Sequence, residues 1–139
     1  MSASSRQEAS QINQSIDGRG VGVQAWGLYE KIREIDQLLI THPLIRRILF
    51  EVHPELSFMA WNESVAMPHS KNAPEGKISR TDLVKSHFGE EAFQFVREEH
   101  RLGLVADDDI NDAFAALWTA ERIYNGTYQV IPNPQPTRY

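Results

Sequence analysis

Three short segments gather the residues that could do chemistry. The first is EVHPE, Glu51 to Glu55, which sets two carboxylates and an imidazole around a proline that fixes the direction of the chain. Such groups serve as general acids and bases or as oxygen and nitrogen ligands for a divalent cation. An ordinary structural role is equally open: Glu51 and His53 would form a polar strand edge, and Glu55 would sit in a first helical turn, where the helix dipole favours an acid.

The second segment is DDDINDAFAALWTAERI, residues 107–123. On a helix, Asp109 and Asp112 share a face at a spacing of three, and Asp108 and Asp112 meet at a spacing of four. Like charges so placed repel, and a divalent cation would offset them. Capping chemistry accounts for Asp107 and Asp108 well, but less well for Asp112, a full turn inside the helix. The third segment is the loop HSKNAPEGKISR, residues 69–80, whose Lys71, Lys77 and Arg80 could reach a phosphate or could simply be solvated. The five histidines form no metal-ligand pair of the HxxxH type, and zero cysteines exclude a thiolate zinc site, a thiol nucleophile and a disulfide scaffold. There is no phosphate-binding GxxxxGK[ST] loop, no GxSxG elbow and no GxGxxG fingerprint; GRGVGV, residues 18–23, reads as a turn.

The elements that must position these segments follow from periodicity. Residues 1–17 are polar and read as a leader with at most a short helical turn. Leu28, Ile32, Ile35, Leu38 and Leu39 recur at helical spacing up to about Thr41, where Pro43 stops the helix. Residues 47–53 (RILFEVH) are the one convincing strand, rich in Ile, Phe and Val. Pro54 opens a short helix, and a loop runs from 62 to about 78. Ser79 or Thr81 would cap the next helix. Further helices are expected over about 90–101 and 108–124, the last stopped by Asn125-Gly126. A single strand makes no sheet, so weak strands near 20–25 and 127–131 are expected to complete it, or part of a larger domain lies elsewhere.

The chain has 139 residues, 41% hydrophobic and 24% charged, which fits one globular domain (18–133) between the leader (1–17) and a tail (134–139). No apolar run approaches the roughly 18 residues of a membrane span, and the first residues lack a secretory signal. A cytoplasmic protein without membrane contact is therefore expected. The net charge of -5 speaks against a protein that coats nucleic acid, but it suits an enzyme whose clustered carboxylates hold metal beside a phosphodiester.

The order of G-x-G-V-x-V-Q (Gly18 to Gln24), KIREID (Lys31 to Asp36), EVHPELSF (Glu51 to Phe58), the loop with Ser70, Lys71, Gly76 and Arg80, and DDINDAFAALWTAERI (Asp108 to Ile123) resembles the family catalogued as domain of unknown function 429. That family is described as predicted nucleases with a ribonuclease H-like fold. The resemblance covers about residues 18–133 and begins after the family's first three strands, so it reaches roughly the C-terminal two thirds of the domain. It implies an incomplete α/β fold, helix-rich with a small sheet, and a metal-dependent nuclease using two Mg²⁺ or Mn²⁺ ions. Glu51 falls at the strand-end position; Asp109 and Asp112 match the D-x-x-D spacing of the last helix. Glu55 and Asp108 stand in reserve as ligands, His53 could add an imidazole to Mn²⁺, and Lys71, Lys77 and Arg80 would meet a nucleic-acid substrate. Lacking the first-strand Asp, the chain alone is expected to turn over little. The alternative is a non-catalytic binding or assembly module, for instance a homo-oligomer that completes its own sheet.

Overall fold

The computed structural model describes residues 3–100 and 103–131, and the chain divides into two compact units, residues 1–50 and 51–139. The expected α/β, ribonuclease H-like fold is not what forms. Among the described residues there are six α-helices, one 3₁₀ turn and no strand. The segment 47–53 shows why. Pro43–Arg47 closes as a 3₁₀ turn, and the amides of Ile48 and Leu49 both donate to the carbonyl of Ile45 at 3.0 and 2.9 Å. A β-rich sequence becomes a strand only where a neighbouring strand takes its backbone hydrogen bonds, and no described segment offers one. The expected strands at 20–25 and 127–131 are likewise absent. Residue 23 already opens a helix, and Thr127 N–H donates back to Arg122 C=O at 2.9 Å, wrapping the chain onto the end of its own helix. Residues 134–139 lie outside the described part.

The first unit holds α1 (Arg6–Asp17) and α2 (Val23–Thr41). Ser5 caps α1, its hydroxyl accepting from the Glu8 amide at 3.2 Å, while the Glu8 carboxylate accepts from the Ser4 amide and hydroxyl at 2.8 Å. These bonds hold the Glu8 carboxyl below the usual carboxylate range. Gly18 ends α1 at φ 71, a left-handed conformation that costs glycine little. The following turn runs back along the helix, with Val21 N–H on Ser10 Oγ at 3.0 Å and Asn13 Nδ2 on Arg19 C=O at 2.8 Å. In α1 only Ala9 is buried, and α2 buries none of its residues.

The second unit holds α3 (Pro54–Trp61), α4 (Pro74–Phe88), α5 (Glu90–Glu99) and α6 (Asp107–Tyr124), with α6 packed against the other three. Pro54 and Pro74 each stand at a helix start, where a missing N–H costs nothing. In α6 the buried side chains Ile110, Asn111, Phe114, Ala115 and Trp118 form one helical stripe. The core joins Ile110, Phe114 and Ala115 to Phe58, Val84 and Phe93. Phe58 and Val84 are fully buried, each contributing about 1.5–3 kcal/mol by leaving water. Ala115, fully buried, lets α6 approach α3 closely enough for Ser57 and Thr119 hydroxyls to bond at 2.8 Å. Trp61 stacks on Trp118 at 5.0 Å, and Asn111, 1% exposed, donates to Thr81 Oγ1 at 3.0 Å. No described helix is long and apolar enough to cross a membrane.

Candidate functional site

The three segments singled out in the sequence all belong to the second unit, and they converge. Glu55 lies in the first turn of α3, and Arg80 lies near the middle of α4. The Arg80 side chain is 3% exposed and spends its guanidinium on four acceptors. Nε donates to Glu55 Oε1 at 3.0 Å and Nη2 to Oε2 at 2.6 Å, a two-pronged pair. Nη1 donates to the carbonyls of His69 and Gly76 at 3.2 and 2.8 Å. Arg80 therefore binds the start of α3, its own helix and the loop before α4 into one block. Its aliphatic-to-guanidinium end also lies over Phe58, 5.6 Å from the ring centre.

That block fixes the loop that carries Lys71. Ala73 N–H donates to Ser70 C=O at 2.9 Å, closing a turn across Lys71 and Asn72. The turn sits so tightly on the first turn of α4 that a Cβ on Gly76 would come within 2.0 Å of the Ser70 carbonyl oxygen. Only glycine admits this approach. Held there, Lys71 Nζ donates to Asp112 Oδ2 of α6 at 3.2 Å, with both side chains partly open to solvent. The bond to Asp112 and its charge, with smaller attractions from Asp108 and Glu55, raise the Lys71 ammonium above the ordinary lysine value despite partial burial. Lys71 thus pairs with Asp112, while Glu55 is paired with Arg80.

The four acids at the start of α6 divide their work. Asp107 pairs with Arg97 of α5 at 2.7 Å, and that guanidinium also binds the carbonyls of His100 and Val105. Asp109 turns back to accept from the Ala106 amide at 3.0 Å, closing the helix N-terminus. Asp108 and Asp112, one turn apart, are the two that act on Lys71. Of the expected residues, then, Lys71 meets Asp112 and Arg80 meets Glu55. Asp109 is spent on the cap. Glu51 and Lys77 are exposed, and His53 is the exposed residue preceding α3, where its carbonyl accepts from the amides of Leu56 and Ser57. Arg80, expected at the substrate, is instead a buried clamp. Its spacing of four from Gly76 was the one sequence signal for that role, since an arginine can fold back along its helix to that carbonyl. Among the described residues, no three His, Asp or Glu side chains lie close enough together to hold a metal ion by themselves.

The fold and this centre define a helical protein in which Lys71, on the loop before α4, pairs with Asp112 of α6, and buried Arg80 of α4 pairs with Glu55 of α3. The chain belongs to the family described as protein of unknown function (DUF429), whose model matches residues 1–137. No curated protein and no solved structure matches it.

Proposed function

We propose that the second unit is a divalent-metal-assisted phosphodiesterase acting on nucleic acid, with Asp108 and Asp112 as metal ligands and Lys71 as the group that meets phosphate. The single observation that carries this reading is the ion pair of Lys71 with Asp112, which stands one helical turn from Asp108 on α6. Mg²⁺ takes one or two protein carboxylates and fills its shell with water and substrate phosphate. Two aspartates a turn apart, both partly or fully reached by solvent, suit that demand. The ion, when bound, would polarise a phosphoryl oxygen and lower the pKa of a bound water. The protein's own residues do the rest. Lys71, kept protonated by its neighbours, is a donor that can pass from Asp112 to a non-bridging phosphate oxygen. Glu55 is anchored by Arg80 and adds negative potential without leaving its place. Arg80 and Gly76 set where Lys71 stands.

The test is hydrolysis of single- and double-stranded DNA and RNA by the full chain with Mn²⁺ or Mg²⁺. Slow, metal-dependent cleavage is expected, lost in Asp112→Asn and Asp108→Asn and reduced mainly through KM in Lys71→Met. Cleavage equal in wild type and Asp112→Asn, or none by wild type on any substrate, would overturn the proposal. The alternative of an assembly module has a separate observation in its favour, the unburied face of α2.

A further inference from the structure

We propose that α2 is a self-association helix that pairs in parallel with α2 of a second copy of this chain. The helix runs for 19 residues without burying one of them. Along it Ala25, Leu28, Ile32, Ile35 and Leu39 follow spacings of three and four, the a and d positions of a two-stranded seam. Leu28, Ile32 and Ile35 are 55%, 60% and 45% exposed, and Leu39 is half-buried.

Charge chooses the orientation. With this register Lys31 occupies a g position and Asp36 the following e position, five residues apart. In a parallel pair, g of one helix faces that e of the other, so Lys31 of each copy meets Asp36 of the second, twice by symmetry. In an antiparallel pair, g faces g and e faces e. Lys31 would then oppose Lys31 or Leu38, and Asp36 would oppose Gly22 or Tyr29, with no attraction gained. Glu30, Arg33 and Glu34 lie on the outer face in either case. The occupant that answers both the apolar seam and its flanking charges is the same helix in parallel. The alternative reading of the sequence includes a homo-oligomer that completes its own sheet; with no strand among the described residues, helix pairing is the form of self-association proposed.

Two experiments on the full chain test this. The chain has no cysteine, so a thiol can be placed at will. Ala25→Cys should give a disulfide-linked dimer under mild oxidation, because a residues face each other only in the parallel pair. Sedimentation equilibrium should show a concentration-dependent dimer. Lys31→Glu or Asp36→Lys alone should weaken it roughly tenfold, and the double reversal should restore it. Both reversals fall on exposed positions, and unchanged helical circular dichroism will show that the fold survives. A monomer at every concentration would overturn the proposal, whether α2 is covered by another part of the chain or by a different protein. So would a dimer indifferent to both reversals. So would cross-linking only in a mixture of Ala25→Cys with Ile35→Cys, an a and a d position that face each other in the antiparallel pair.

Discussion

Replacing Arg80 tests the joint on which the Lys71 loop depends. Arg80→Met keeps the stem beside Phe58 and removes four hydrogen bonds, two to Glu55 and one each to His69 and Gly76 carbonyls. Removing one partner of a buried ion pair costs about 3–5 kcal/mol. The low end applies here, because Glu55, 37% exposed, can turn to water once released, whereas the His69 carbonyl loses its donor. A loss of about 3 kcal/mol is expected for Arg80→Met. Glu55→Gln keeps an acceptor but leaves the buried guanidinium without its counter-charge, for about 2 kcal/mol. The pair acts as a unit, so the double variant should cost less than the two single losses added. Urea unfolding followed by the fluorescence of Trp61 and Trp118 reads these values, at about 1 kcal/mol per molar urea for a unit of this size. An Arg80→Met midpoint within about 0.5 M of wild type, or strictly additive single variants, would refute the reasoning.

Further outcomes follow from the same geometry. Gly76→Ala gains up to about 1 kcal/mol of helix propensity yet drives its Cβ into the Ser70 carbonyl, so the urea midpoint should fall; a rise would mean the loop does not sit on α4. Lys71 is raised in the folded state by Asp112, so its contribution to stability is complete below its unfolded value near pH 10.4 and is lost as pH rises through the higher folded value. Melting temperatures taken from pH 8 to 12 should therefore fall more steeply for wild type than for Lys71→Met, and parallel curves would contradict the pairing. Asp109→Ala removes the acceptor for the Ala106 amide and should cost about 0.5–1 kcal/mol, while leaving any metal binding unchanged.

Much of the helical architecture was legible in the residues. Pro54 at the start of α3, the apolar spacing of α2 and Asn125-Gly126 after α6 each mark a boundary the structure keeps. The misreadings have physical causes. Ser5 and Glu8 carry the S-x-x-E pattern of a capping box, and Gly18 supplies a left-handed stop, so α1 was readable within what looked like a polar leader. The start of α4 was placed at Ser79 or Thr81 by their capping preference, yet Pro74 begins the helix and Ala73 caps it with no side-chain bond. Residues 47–53 have strand composition but no partner strand, and composition alone does not supply one. At the site, all three segments were visible in advance, but not which acid would do what. That depends on helix phase: Asp109 faces its own N-terminus, while Asp108 and Asp112, four apart, share the face toward Lys71. Of the Arg80 clamp only the contact four residues back to Gly76 is local; its partners Glu55 and His69 lie 25 and 11 residues away in sequence, beyond what helical spacing reveals.

Whether Asp108 and Asp112 form one cation-binding face beside Lys71 is tested most directly by Mn²⁺ read by nuclear magnetic resonance. Substoichiometric Mn²⁺ broadens signals of nuclei near the bound ion. Amide and side-chain signals of Asp108, Asp112 and Lys71 should broaden first, those of Glu51 and Lys77 should persist, and Asp112→Asn should abolish the selectivity. Broadening centred on Glu51 or Asp109, or an identical pattern in Asp112→Asn, would contradict the account.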